Sequence, residues 1–100
     1  MIYIVWSFKV RPQSLAEFKH HYGAEGSWVR LYLQAKGYLG TVLLCDSSQE
    51  NCFLLWDRWD SLPSYEKFRV EHDDDFNKLD RECEAFTLEE KRIGVFEEVS

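Results

Sequence analysis

The segment YLGTVLLCDSSQENCFLLWDRW, residues 38–59, predicts a β-hairpin, and the rest of the fold can be worked out from it. Two runs of apolar and aromatic residues, 38–45 and 51–59, flank the polar sequence DSSQE at 46–50. Runs of this length on both sides of a turn-forming sequence are typical of paired antiparallel strands. The hairpin lies near the middle of the chain, between two regions with helical patterns.

The expected register makes both faces of this hairpin apolar. If Cys45 lies opposite Cys52, the pairs are Leu43 with Leu54, Thr41 with Trp56, Leu44 with Phe53, Val42 with Leu55 and Tyr38 with Trp59. The first two of these pairs share one face, and the last three share the other. A sheet that carries helices on one side only normally has a polar second face. We therefore predict that a second copy of the chain covers that face, which gives a homodimer with sheet packed on sheet.

A strand and a helical region precede the hairpin. Residues 2–10 alternate as in a strand with one apolar face, and Pro12 ends it because proline cannot donate to a β-ladder. Ser14 and Glu17 have the spacing of a capping box, so a helix is expected to start at Ser14 with its hydroxyl bonded to the third helical N–H. Glycines at 23 and 26 break this region, and Ser27 is expected to cap a second segment.

A second helical region and a last strand follow the hairpin. Ser61 is expected to cap a helix with Pro63 in its first turn. The acidic triplet at 73–75 favours a new helix N-terminus, where negative charge meets the helix dipole. Residues 87–95 form a charge-rich strand near a sheet edge. The order is β-α-β-β-α-β, a ferredoxin-like α+β sandwich with an antiparallel sheet and helices on one face.

Size and charge exclude several classes of partner. One hundred residues with 45% hydrophobic content predict one domain spanning residues 1–100. A net charge of −6 argues against nucleic acid and anionic membranes, because both require a basic surface. No apolar run approaches the roughly 18 residues of a membrane span. Three cysteines without a CxxC spacing predict a reduced, cytoplasmic protein.

With a second copy covering the free sheet face, the layout resembles the dimeric α/β-barrel superfamily, and within it the antibiotic-biosynthesis-monooxygenase type of domain. The resemblance covers nearly the whole chain. Its local matches are the sequence GYLGT at 37–41 and the sequence WDS at 59–61, followed by Tyr65. It implies a dimeric domain and a small oxygenase that needs no cofactor.

The resemblance also implies site positions. In polyketide-quinone-forming members, a strand Trp, an Asn four residues earlier and a Tyr six residues later help to hold the substrate. Trp59 and Tyr65 keep that spacing here, and Leu55 stands at the Asn position. Haem-degrading relatives use a first-strand Asn, a helix Trp and a helix His, and near those positions this chain has Ser7, Phe68 and Asp80. The chain keeps part of the quinone-forming pattern and departs from the haem-degrading one.

Aromatic residues and one histidine supply most of the candidate site. His72 lies on the apolar stripe of its helix, and imidazole exchanges a proton near neutral pH, so His72 is a candidate general base. Trp59 and Tyr65 are candidates for the wall and the hydrogen-bond donor of a pocket. Core packing at the strand-to-helix corner is the alternative for Trp59 and Tyr65, and a partly buried, hydrogen-bonded histidine at the helix end is the alternative for His72. The other pocket candidates are Trp6, Trp28, Tyr32, Tyr38 and Phe68, and so many amphipathic rings favour a cavity for a flat ligand.

Asp57 and Arg58 are charged residues within an otherwise apolar strand. Whichever points at the helices becomes a buried charge and a candidate for a shifted pKa, and the pattern leaves open which one does. An ion pair across the dimer is the alternative for that charge. The three histidines lack the spacing of a metal site, so neither a metal nor a cofactor is expected.

Two kinds of function fit these features. The first is a cofactor-independent monooxygenase in which His72 or Asp57 deprotonates an electron-rich quinol or anthrone-like substrate held against Trp59. Its anion would reduce O2, while Tyr65 or Tyr32 hydrogen-bonds the developing oxygen charge. The second is a non-enzymatic dimer that binds a small apolar ligand, or serves only as a structural module.

Overall fold

The computed structural model describes residues 1–99 and consists of four strands and four α-helices. In chain order these are β1 (Ile2–Val10), α1 (Leu15–Tyr22), α2 (Ser27–Tyr32), β2 (Tyr38–Cys45), β3 (Cys52–Trp59), α3 (Leu62–Glu71), α4 (Asp73–Cys83) and β4 (Thr87–Glu97). Short 3-10 turns at Pro12–Ser14 and Glu84–Phe86 lead into α1 and β4. Each predicted helical region is therefore a pair of consecutive helices.

The strands form one antiparallel sheet in the order β2-β3-β1-β4. This order confirms the ferredoxin-like α+β fold. Side chains that alternate along β1 and β3 point at the helices and meet the apolar faces of α1 to α4. The resulting core is mostly aromatic, and its largest members are Phe8, Phe18, Tyr22, Trp28, Tyr32, Phe53, Trp59, Tyr65, Phe68 and Phe86.

The N-termini of α3 and α1 differ in whether a serine side chain caps them. Ser61 caps α3 as expected, and its hydroxyl oxygen accepts from the backbone N–H of Ser64 at 3.3 Å. Ser14 stands at the N-cap of α1, but the predicted capping bond is absent within residues 1–99. The backbone N–H of Ser14 instead closes the preceding 3-10 turn onto the carbonyl of Arg11 at 2.8 Å. Its backbone is therefore not in the extended conformation that a side-chain cap requires.

The break at 23–26 ends α1 at Tyr22, and α2 begins at Ser27. The cap of α2 is the extended Gly26 rather than Ser27, because Ser27 is itself the first helical residue, and the Ser27 hydroxyl bonds the His21 Nδ1 atom at 2.8 Å. A Cβ atom at Gly26 would lie 2.4 Å from the His21 carbonyl oxygen, so only glycine lets the chain fold back this closely.

The predicted register of the β2–β3 hairpin is wrong by one residue over most of its length. Cys45 lies opposite Phe53 rather than Cys52, whereas Tyr38 lies opposite Trp59 as predicted. A bulge between Tyr38 and Gly40 takes up the extra residue, and Gly40 has a φ of 128°, which glycine adopts without strain. A slip of one residue moves every side chain to the other face, so the predicted face partners were wrong as well.

The outer face of the sheet is apolar, as the sequence indicated. A groove of about 480 Å³ crosses it, and its lining residues are Tyr3, Val5, Leu54, Trp56, Ile93 and Phe96. The rings of Tyr3 and Trp56 meet edge to face at 5.8 Å between centroids. Patches of this kind are uncommon on proteins that remain monomeric.

Candidate functional site

A cavity of about 230 Å³ lies between the sheet and the helices. Its walls come from β1, β3 and β4 on one side and from α1, α2 and α4 on the other. The lining residues are Trp6, Phe8, Tyr22, Trp28, Tyr32, Leu55, Asp57, Phe76, Asp80 and Glu90. Six of these ten are aromatic, and three are carboxylic acids. Trp6, Trp28 and Tyr32, three of the predicted pocket residues, are among its walls.

The strand alternation of β3 decides which charged residue faces this cavity. Phe53, Leu55, Asp57 and Trp59 are buried towards the helices, and their neighbours point to the outer face. Asp57 is only 2% exposed. Arg58 points away, and its Nη2 atom donates to the Leu39 carbonyl oxygen at 3.2 Å. The question left open by the sequence is thus answered in favour of Asp57.

The Asp57 carboxyl group is buried beside a single hydrogen-bond donor. The Thr41 hydroxyl donates to Asp57 Oδ1 at 2.8 Å, and no ion pair to Asp57 forms within residues 1–99. Burial raises the pKa of Asp57 from 3.8 to about 7, and the Thr41 hydrogen bond opposes that rise because it favours the charged form. The group can therefore both hold and release a proton at neutral pH.

Tyr38 extends this hydrogen-bond chain by one step. Its hydroxyl lies 2.5 Å from Thr41 Oγ1. Thr41 has one hydroxyl proton, and it gives that proton to Asp57, so Tyr38 must donate to Thr41 rather than accept. Burial raises the pKa of Tyr38, which keeps its proton in place. The chain Tyr38–Thr41–Asp57 therefore points both of its protons towards the carboxylate.

Sequence reasoning missed Thr41 because of the register error. The predicted pairing placed Thr41 opposite Trp56, whereas the observed pairing places it opposite Asp57. The sequence GYLGT at 37–41 contains the signal that was needed, since a glycine inside a strand often marks a bulge. A bulge at Gly40 shifts the following residues by one position and brings Thr41 to the aspartate.

Trp59 and Tyr65 form a packed cluster beside the cavity rather than part of its wall. The indole of Trp59 is fully buried, and its ring centroid lies 5.3 to 5.6 Å from those of Tyr65, Tyr38, Phe68 and Tyr32. Among the predicted pocket residues, Tyr38 and Phe68 belong to this cluster. Tyr32 belongs to both, because its ring also lines the cavity. The pKa of Tyr32 is raised, first by burial and then by the negative charge of Asp57.

His72 lies away from the cavity. It follows the last turn of α3, and its ring stacks on Phe68 at 5.0 Å between centroids. It lines a separate polar depression of about 200 Å³ between α3 and the segment after α2, together with Lys36 and Lys67. Helical periodicity places His72 on the same stripe as Phe68, but that stripe ends above the packed cluster and not above Asp57.

Two mouth residues were also missed as parts of this site. Asp80 on α4 and Glu90 on β4 line the cavity and are exposed, so they stand where it opens to water. Partial burial raises the pKa of Glu90, and the nearby negative charge of Asp80 raises it further. Deeper in the wall, the indole N–H of Trp28 is buried without a partner in the part of the chain that the structure describes.

The cavity offers aromatic surfaces and carboxylates but no grouping suited to a metal. Within residues 1–99, no cluster of three or more His, Cys, Asp or Glu side chains has the arrangement of a metal site. Over the same residues, none of the helices is long and apolar enough to cross a membrane.

Comparisons with known proteins agree on the fold. No protein-family model matches the chain, and no curated protein sequence matches it. The structure is similar to SnoaB, a cofactor-independent oxygenase from Streptomyces nogalater, with a TM-score of 0.78 and 16% identity over 99% of this chain and 93% of that one. It is also similar to a structure described as an antibiotic biosynthesis monooxygenase, with a TM-score of 0.73 and 16% identity over the whole of both chains. The TM-scores establish a shared fold, and at identities this low they establish the fold alone. The predicted resemblance is confirmed at that level.

Proposed function

We propose that the protein is a cofactor-independent monooxygenase that oxidises an electron-rich phenol or quinol-like substrate in the Asp57 cavity. The observation that carries this proposal is a buried carboxyl group with a pKa of about 7, facing a cavity walled by aromatic rings. General bases work best when their pKa lies near the working pH. The fold shared with a cofactor-independent oxygenase supports the same conclusion.

Asp57 is the proposed base of the first step. Its ionised carboxylate takes the proton of a substrate hydroxyl or of an activated ring carbon. The low-dielectric cavity favours the neutral acid that results, because burial disfavours charge on the carboxyl group. Thr41 holds one carboxyl oxygen and leaves the other for the substrate. His72 has no part in this scheme, because it lines a different surface.

The substrate itself is the reductant in the second step. The deprotonated ring gives an electron pair to O2, so that one oxygen atom bonds to a ring carbon and the distal oxygen takes the proton held by Asp57. The resulting hydroperoxide loses water as its O–O bond and the C–H bond of the same carbon break, and a quinone remains. One phenol and one O2 thus become one quinone and one water, and no external reductant is required. The Tyr32 hydroxyl, whose raised pKa keeps it protonated, is the proposed donor to the developing oxygen charge.

Oxygen consumption tests the proposal. Purified protein is added to simple phenols, hydroquinones and naphthols in a closed oxygen electrode, and quinone formation is followed by absorbance. We expect one O2 to be consumed for each quinone formed, at a rate that exceeds autoxidation and does not change when a chelator is added. Binding of the same compounds without oxygen uptake would identify a non-enzymatic binding domain instead.

Replacing Thr41 by Val is expected to move the pH profile. The variant loses the donor that favours the charged form of Asp57, so the pKa of this group rises above its present value of about 7. A hydrogen bond to a charged group contributes about 1.5 to 3 kcal/mol, so the acidic limb of kcat/KM should shift upward by about 1 to 2 pH units. Thr87→Val, at the start of β4, is the matched control and should leave the profile in place. An unmoved profile in Thr41→Val would contradict the assigned role of this hydroxyl.

We also propose that the working form is a homodimer with two outer sheet faces packed together. The outer groove is apolar along its centre, where Leu54, Trp56 and Phe96 are partly exposed. Register places Lys9 opposite Glu89 at one end of this face, and Arg58 lies opposite Tyr3 at the other. An apolar centre with charged margins is the usual anatomy of a protein interface, and a two-fold axis lets the same patch pair with itself.

A further inference from the structure

The charged side chains that line the cavity are all acidic. Apart from its tyrosines, the titratable residues in the wall are Asp57, Asp80 and Glu90. No Lys, Arg or His of residues 1–99 is among the lining residues. Asp57 lies inside, and the other two lie at the mouth. Any molecule that enters therefore passes two carboxylates and ends beside a third.

The aromatic walls suit the same kind of ligand. Six rings surround the cavity, and the negative faces of aromatic rings attract cations. The rings of Trp28 and Phe76 meet edge to face at 4.9 Å between centroids, so α2 and α4 form one continuous aromatic wall that ends near Asp80. Aromatic rings combined with carboxylates are the chemistry by which proteins recognise organic ammonium ions.

The volume limits the size of the ligand. An apolar cavity of about 150 Å³ accommodates a benzene molecule, so about 230 Å³ has room for one or two fused rings with a short side chain. Ligand pockets for larger molecules occupy roughly 300 to 1,000 Å³. A ligand of three or four fused rings exceeds this space.

We propose that Asp80 and Glu90 select the substrate by charge, and that the cavity takes a one- or two-ring phenol bearing a protonated amine in preference to one bearing a carboxylate. This inference rests on the proposed function and names the substrate class of the same cavity. The ring lies between the aromatic walls with its hydroxyl at Asp57. Its ammonium group lies at the mouth, between α4 and β4.

Two arginines lie near this region, and neither is among the residues that line the cavity. The Arg69 guanidinium lies 3.6 Å from the centroid of the Phe76 ring and is paired with Asp73 at 3.6 Å, outside the lining. Arg92 lies opposite the lining residue Trp6 and two residues from Glu90 on β4, so it shares their face of the sheet, and its charge opposes the rise in the pKa of Tyr65 in the packed Trp59 cluster.

The test uses three phenols of one shape and different charge. These are 4-(2-aminoethyl)phenol as the cation, 4-ethylphenol as the neutral form and 3-(4-hydroxyphenyl)propionate as the anion. Dissociation constants are measured by calorimetry at pH 7 and low salt for the wild type, for Asp80→Asn/Glu90→Gln, and for Glu25→Gln/Glu66→Gln. The last variant removes the same two charges from exposed positions outside the cavity.

The wild type is expected to bind the cation about 10-fold more tightly than the neutral phenol and the anion about 10-fold more weakly, since partly exposed charges a few ångströms away act through a high dielectric. In Asp80→Asn/Glu90→Gln the cation-to-anion ratio should fall at least 10-fold, and in the control variant it should not change. Raising the salt to about 0.5 M should reduce the wild-type ratio. Equal binding of all three phenols, or a ratio that the mouth variant leaves unchanged, would overturn the inference.

Oxygen uptake separates this inference from the proposed function. Equal binding of the three phenols together with Asp57-dependent oxygen uptake would contradict the charge selection and support the oxygenase activity. A preference for the cation that depends on the mouth carboxylates, without any oxygen uptake, would leave the charge selection as the specificity of a binding protein. Absence of binding for all three phenols would contradict both the charge selection and the proposed function.

Discussion

Asp57→Asn is expected to lower kcat/KM for quinol oxidation by about 10²- to 10⁴-fold, the usual contribution of a general base. The amide keeps the size of the side chain and can still accept the Thr41 hydrogen bond, but it cannot take up a proton. Initial rates of oxygen uptake over a range of quinol concentrations measure the loss. Asp74→Asn, an exposed position in the first turn of α4, should retain wild-type turnover. A rate within 3-fold of the wild type would show that Asp57 is not the base.

The same substitution is expected to stabilise the protein at high pH. The pKa of Asp57 is about 7 in the folded protein against an ordinary value of 3.8, so the folded state binds more protons between those values. The Asp57 contribution to stability is therefore fully present below the pKa that this carboxyl group has in the unfolded chain. It is lost as the pH rises through the pKa that the group has in the folded protein. At about 1.4 kcal/mol for each unit, wild-type stability falls by up to about 4 kcal/mol over this interval.

Denaturant unfolding at two pH values checks this linkage. Asp57→Asn has no charge to bury, so we expect it to be more stable than the wild type by about 2 to 4 kcal/mol at pH 8 and nearly equal to it at pH 4. The low-pH comparison is an internal control for any packing change. A variant that is less stable than the wild type at both values would mean that the buried charge is compensated in the assembled protein.

Leu54→Glu is expected to convert the proposed dimer into a monomer. Leu54 lies in the outer groove and is 40% exposed in the single chain, so the substitution changes the isolated fold little. In the proposed dimer the two-fold axis brings both copies of the glutamate into an apolar interface, and burying unpaired charge is costly. The dissociation constant should rise by at least about 10³-fold, equivalent to roughly 4 kcal/mol.

Sedimentation of the wild type and the variant over a range of concentrations measures this change. Val70→Glu is the matched control, since Val70 is 80% exposed on α3, away from the sheet, and should leave the dimer intact. A wild type that sediments as a monomer at tens of micromolar would contradict the dimer. Similar dissociation constants for Leu54→Glu and the wild type would place the interface elsewhere.

The sequence alone predicted the elements that depend on local pattern. The period-2 alternation of residues 2–10 and the glycine break at 23–26 both appear in the structure. The Ser61 cap was predictable because its bond to the Ser64 backbone spans only three residues. The apolar outer face was also predicted, although its members changed with the register. These features follow from side-chain chemistry within one turn or one strand.

The tertiary structure decided the site. A single glycine at the Gly40 bulge shifted β2 by one residue, and that shift placed Thr41 opposite Asp57 instead of opposite Trp56. Periodicity put His72 and Tyr65 on the apolar side of α3, but packing against Trp59 filled the space they were expected to line. The physical reason is that a site combines residues distant in the chain, so one residue of register or a few ångströms of packing determines which of them meet. Local pattern determined the strands and helices of this protein, whereas the orientation of β3 in the sheet and its pairing with β2 determined that the buried charge would be Asp57 beside Thr41.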